Sequence, residues 1–211
     1  MLGTDPGDSS VHPTIFAEFD RICRTRGAGG DVLEIGSTPS DDTLLCLPAL
    51  RHAHSRIGVN LEGPFTHAGF EVLRADANEM ACFPDGSFDT VLCNSVLEHD
   101  RRFWLTLAEI RRVARPGALV VIGVPGFASG TLDRGLARAL RVPGLRAALR
   151  RSLPSLLAST PTLQVHEFPA DYYRFSPQAA RDVFLEGLAE PEVYTVLATP
   201  RVLAVGVKPI G

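Results

Sequence analysis

The sequence predicts an α/β fold: a doubly wound, mostly parallel, seven-stranded sheet with an antiparallel last strand and helices on both faces. Short apolar runs bounded by Gly, Pro or Asp recur up to Val124, with an amphipathic helix between the fourth and the fifth. Alternation of that kind requires parallel pairing through right-handed crossovers. The last two apolar runs are separated only by Thr199-Pro200-Arg201, a connection too short for a crossover, so the final strand is antiparallel.

A polar, disordered start precedes a helix over Pro13 to Arg26. Pro13 suits a first turn, and Ile15, Phe16, Phe19, Ile22 and Cys23 make one apolar stripe that packs on the sheet. Gly27 to Gly30 breaks it, and Val32-Leu33-Glu34-Ile35 is the first buried strand. Strands two to five follow at Arg56 to Asn60, Phe70 to Leu73, Phe88 to Cys93 and Ala118 to Val124. Between the last two, Phe103, Leu107, Ile110 and Ala114 share a narrow arc, which gives a helix over Arg101 to Arg115 ended by Pro116-Gly117. Val193 to Ala198 and Val202 to Val207 complete the sheet, and a last helix begins near Ser176-Pro177.

The 211 residues fit a single domain, with Gly126 to Gln164 a helical insertion or lid. A net charge of -3 argues against a nucleic-acid partner, which needs surplus Lys and Arg. Cys23, Cys46, Cys82 and Cys93 are scattered without metal or disulfide spacing and read as buried free thiols. The absence of a signal sequence or long apolar stretch leads to the expectation of a cytoplasmic protein without stable membrane insertion. A homodimer is compatible with this composition.

In open sheets of this kind ligands lie beyond the carboxyl ends of the central strands. Four such ends carry informative residues. Glu34 closes a buried strand, where a carboxylate needs hydrogen bonds or a cation, and Gly36 lets the following turn pass close to a ligand. Asn60 or Glu62 suits a ribose diol, and Asp76 suits an adenine amino group. The fourth end is Phe83-Pro84-Asp85-Gly86-Ser87-Phe88-Asp89-Thr90-Val91, continuing into Asn94-Ser95-Val96-Leu97-Glu98-His99.

With Ile110-Arg111-Arg112-Val113-Ala114-Arg115-Pro116-Gly117, this last run resembles the type 11 class of small-molecule methyltransferases and their F-D-x-V, L-E-H and R-V-L-x-P-G-G signatures. The likeness runs from about Asp31 to Pro125. It implies a Rossmann-like domain over 1–211 that uses S-adenosylmethionine as cofactor and methylates an O or N atom of a small-molecule acceptor. It also implies that Glu34 and Gly36 lie at the methionine end, Asn60 and Glu62 at the ribose, Asp76 and Ala77 at the adenine, and Asn94 beside the methionine backbone. Ser37 and Leu61 join the same cofactor-binding set. The sequence departs from the pattern at Thr38, Asn60 and Ala118; the last affects only a turn, and the first two leave a catalytically inactive cofactor-binding partner as an alternative. A nicotinamide dehydrogenase would want G-x-G-x-x-G, which Gly36-Ser37-Thr38-Pro39-Ser40-Asp41 lacks.

Methyl transfer needs alignment more than acid catalysis or a metal, and a base only where the acceptor must lose a proton. His99 is one candidate base, with packing at a helix start as the other reading. His166, Asp171 and Tyr173, in the segment His166-Glu167-Phe168-Pro169-Ala170-Asp171-Tyr172-Tyr173-Arg174-Phe175, form a second catalytic set, with an Asp171–Arg174 ion pair locking the loop as its structural alternative. Leu132, Leu136 and Leu140 oppose Arg134, Arg138 and Arg141 on the insertion. Such a face suits a solvated lid, an anionic acceptor, a partner protein or a membrane surface, the last compatible with a lipid-linked acceptor.

Overall fold

A computed structural model describes residues 11–127, 170–197 and 200–210. Its first helix, α1 (Pro13–Arg26), has the predicted bounds: His12 Nδ1 accepts from Thr14 N at 3.2 Å, and Ile15, Phe19, Ile22 and Cys23 are buried.

Eight strands follow: β1 (Asp31–Ile35), β2 (Ser55–Asn60), β3 (Phe65–His67), β4 (Phe70–Arg74), β5 (Phe88–Asn94), β6 (Ala114–Pro125), β7 (Ala189–Val196) and β8 (Arg201–Val207). They form one sheet in the order β3-β4-β2-β1-β5-β6-β8-β7. Pairing is parallel from β4 through β6, and β8 runs antiparallel to both β6 and β7. The strand beyond the seven expected is β3, three residues antiparallel to β4.

The two faces are filled by alternate residues of the same strands. Val32, Leu92, Val121 and Leu203 pack with α1 on one face, whereas Leu33, Val91, Val120 and Ala204 pack on the other with Leu107, Ile110 and Val113 of α2 (Phe103–Val113). A short α3 (Pro177–Ala179), capped by Ser176 Oγ accepting from Ala179 N, runs into a wider turn at Ala180–Phe184 that closes this second face. The predicted start near Ser176-Pro177 is the observed one.

Between β1 and β2 the chain makes two 3-10 turns, Leu44–Cys46 and Pro48–Leu50, in place of a crossover helix. Pro39 and Pro48 limit helix length there, yet Leu44, Leu45, Leu47 and Leu50 are still fully buried. The α2 helix ends two residues earlier than expected. Pro116 disfavours helical backbone at Arg115, and the register jumps from Phe88↔Ala114 to Thr90↔Leu119, with Gly117 at φ 84° in the bulge. The bulge turns Arg115 onto Asp89 (2.6 Å) and Asp31 (3.0 Å).

The expectation of four buried thiols is corrected at Cys82, which is exposed, while Cys46 is only half-buried. Among the described residues no helix is long and apolar enough to cross a membrane. Apart from Gly126 and Phe127, the predicted insertion lies outside the described residues, as do His166 and the proposed strand end at Ala198.

Candidate functional site

The turn after β1 is held by side chains. Glu34, 4% exposed, accepts from the Thr43 hydroxyl and from the N–H groups of Leu44 (3.0 Å) and Leu45 (3.3 Å). Burial pushes the Glu34 carboxyl up, against these donors and the Ser37 hydroxyl. The demand that sequence reading assigned to a ligand is therefore met largely from within the chain. Gly36 takes φ 81° as its N–H and that of Ser37 bind Val59 C=O at 2.9 and 3.2 Å. A Cβ at Gly36 would overlap Val96 Cγ2, so only glycine lets this turn pass the loop after β5.

The next ends interlock with that turn. Asn60 Nδ2 donates to Ser37 C=O at 2.8 Å, and Asn60 Oδ1 accepts from Glu62 N at 3.0 Å. Asn60 thus shapes the loop in which Leu61, 66% exposed, and the Glu62 carboxylate stand outward. The loop after β4 is tied to Asn60 by Ala75 N donating to its C=O at 3.1 Å. There Asp76 Oδ1 accepts from Asn78 N at 2.9 Å, with the side chain exposed, and Ala77 is half-buried. Asn78 Nδ2 reaches Asp100 Oδ2 at 2.6 Å, which joins this loop to the one after β5.

Asn94 ends β5 beside Gly123 of β6. Its Oδ1 is buried without a hydrogen-bond partner among the described residues and lies 2.5 Å from where a Cβ of Gly123 would be. Ser95 follows at φ 56°, its hydroxyl accepting from Arg201 Nη1 at 3.1 Å. His99 Nδ1 binds Ala170 C=O, so that nitrogen carries the proton in the neutral ring. The segment Ala170 to Phe175 docks here because Tyr172 and Tyr173 donate their N–H groups to Glu98 C=O at 2.8 and 3.3 Å.

Asp171 is paired bidentately with Arg174 in a nearly buried ion pair, the loop-locking arrangement. Tyr173 donates its hydroxyl to Arg101 C=O at 3.0 Å, and its ring packs on Phe103 and Phe175. The structure therefore brings His99, Asp171 and Tyr173 to one end of the sheet, with Asp171 and Tyr173 engaged by their own neighbours.

Sequence reading overlooked Glu98 and Arg201. The Glu98 carboxyl is 1% exposed, with Oε1 3.6 Å from Arg201 Nη1 and 3.9 Å from His99 Nε2, and with Oε2 lacking a hydrogen-bond partner among the described residues. The available signal was an acidic residue beside the apolar pair Val96-Leu97. Arg201, on β8, gave none, since only tertiary pairing brings it near.

A family model described as a methyltransferase domain matches residues 45–122. Those residues supply the loops after β2, β4 and β5, which meet the β1 turn at one edge of the sheet. Over these residues the chain is similar to methyltransferase domains. An uncharacterized methyltransferase of Mycobacterium sp. (strain JLS) is 32% identical over 104 residues, 46% of this chain; the match spans only 40% of that relative's length. A SAM-dependent methyltransferase from Archaeoglobus fulgidus shares the fold with a TM-score of 0.62 at 15% identity, over 92% of this chain and 93% of that one. The 1,6-didemethyltoxoflavin-N1-methyltransferase of Burkholderia thailandensis, solved with 1,6-didemethyltoxoflavin and S-adenosylhomocysteine, aligns with a TM-score of 0.59 at 16% identity, over 92% and 78%.

Proposed function

We propose that this domain binds S-adenosylmethionine and transfers its methyl group to an O or N atom of a small-molecule acceptor. The observation that carries the reading is the Asn94 carboxamide oxygen, a buried acceptor with no partner among the described residues, at the carboxyl end of β5 within the segment similar to methyltransferase domains and beside the β1 turn. Buried acceptors are nearly always satisfied, and the cofactor's α-amino group is a donor of the required kind. When bound, the cofactor supplies an electrophilic methyl group on a sulfonium.

The chain's own residues divide the remaining work. Gly36 and Ser37 bring backbone close to the methionine end, and Glu34 holds that turn from behind. The outward Glu62 carboxylate accepts from ribose hydroxyls, with Asn60 setting its loop, while Leu61 and Ala77 offer apolar surface to the adenine. Asp76 retains an oxygen for the adenine amino group. Asp41 and Asp42 border the turn, which suits a cationic, phosphate-free cofactor.

Isothermal titration of the wild-type chain with S-adenosylmethionine and S-adenosylhomocysteine tests the reading. Saturable binding of both is expected; binding of neither at about 1 mM, equivalent to roughly 4 kcal/mol, overturns it.

A further inference from the structure

Among the described residues, two buried side-chain acceptors at the carboxyl end of β5 have no hydrogen-bond partner, Asn94 Oδ1 and Glu98 Oε2. The first serves the cofactor in the reading above, and the second remains without a role. A carboxyl group that is 1% exposed is costly to bury unless its oxygens are satisfied. Arg201 lies 3.6 Å from the other oxygen, and its Nη1 is hydrogen-bonded to Ser95 Oγ. Burial pushes the Glu98 carboxyl up, against its own N–H, His99 and Arg201, with Asp171 adding to the rise.

What Oε2 lacks among the described residues is a hydrogen-bond donor. Arg201 lies beside Glu98, and Arg174 is paired with Asp171. The Arg201 and His99 side chains are 25% and 20% exposed, so the cluster reaches solvent at its edge. The N–H groups of Tyr172 and Tyr173, both on the Glu98 carbonyl, hold the backbone of Glu98 in place.

We propose that Glu98 is the group that holds the methyl acceptor, taking an O–H or N–H donor on Oε2. This rests on the methyltransferase reading above and adds to it a substrate class: acceptors whose reacting end carries a hydroxyl or N–H.

Ligand-detected NMR with phenol and with anisole, each added to protein saturated with S-adenosylhomocysteine, tests the proposal, since the probes differ in a single O–H. Phenol is expected to bind about tenfold more tightly than anisole, and Glu98→Gln to remove most of that preference. Thermal unfolding of the variant, with and without S-adenosylhomocysteine, reports whether its site is folded; the wild-type comparison of the two probes needs no variant. Equal binding of phenol and anisole, binding of neither, or a preference that survives in folded Glu98→Gln overturns the proposal. Failure of S-adenosylhomocysteine itself to bind would instead remove the methyltransferase reading.

Discussion

Replacing Glu34 by Ala removes the acceptor for three donors, the Thr43 hydroxyl and the N–H groups of Leu44 and Leu45. The Thr43 hydroxyl can turn to Ser37 Oγ, 3.1 Å away, so two backbone N–H groups are left buried without a partner. Each costs about 1–3 kcal/mol, reduced because the substitution also relieves the burial of a carboxylate. The net expectation is a loss of about 2–4 kcal/mol, or roughly 5–15 °C in the unfolding midpoint for a chain of this size. Urea unfolding followed by circular dichroism measures it. Thr43→Val, at a side chain assigned to no ligand, separates scaffold from contact. If Glu34 acts by holding the turn, Thr43→Val lowers S-adenosylhomocysteine affinity in the same direction as Glu34→Ala. A Glu34→Ala protein within about 0.5 kcal/mol of wild type would refute the account.

Asn94→Ala removes an oxygen without a hydrogen-bond partner among the described residues, so stability should change by less than about 1 kcal/mol while S-adenosylhomocysteine affinity falls about tenfold; paired unfolding and titration curves would show whether the two separate. Gly36→Ala forces a Cβ into Val96 at φ 81° and should cost about 1–3 kcal/mol as well as cofactor affinity. Adding Val96→Ala should recover only part of the loss, because the backbone strain stays. At the opposite edge of the sheet, His54, Ser55 and Arg115 hold the Asp31 carboxyl down at about 2. Since this folded value is below the ordinary 3.8, the contribution is complete above about pH 4 and lost as the pH falls toward 2. Asp31→Asn should therefore flatten the acid limb of the stability profile, and an unchanged limb would rule the network out as its source.

Elements whose determinants lie close together in sequence were legible. The bounds of α1 follow from Pro13 and its apolar stripe, and Ser176 caps the helix that it precedes. Strand β3 was not legible, because Phe65-Thr66-His67 becomes a strand only by pairing with β4. The end of α2 was misplaced because Pro-Gly was read as a helix stop, whereas it sits in a bulge imposed by pairing with β5. At the site, Gly36, Asn60 and Asn94 were visible from their place after strands. Their partners Ser37, Val59 and Gly123 belong to other loops or strands, so the sequence could give the positions but not the bonds.

The two buried glutamates at this end of the sheet show why burial alone does not mark a functional carboxylate. Glu34 attracted attention because it interrupts an apolar strand, yet the turn that follows supplies its donors: prolines keep Leu44 and Leu45 out of a long helix, which leaves their N–H groups free to point back at it. Glu98 drew less notice within a recognised motif, yet it is the one with an oxygen left over, since Tyr172 and Tyr173 bind its backbone carbonyl and Arg201 divides itself between Ser95 and one carboxylate oxygen. A saturated buried carboxylate is part of the scaffold, because any ligand donor would have to displace a bond already made. An unsaturated one keeps its desolvation cost until a donor arrives, and that cost becomes selectivity against ligands without one. By this criterion, substitution at Glu34 should register chiefly in stability and substitution at Glu98 chiefly in which acceptors bind.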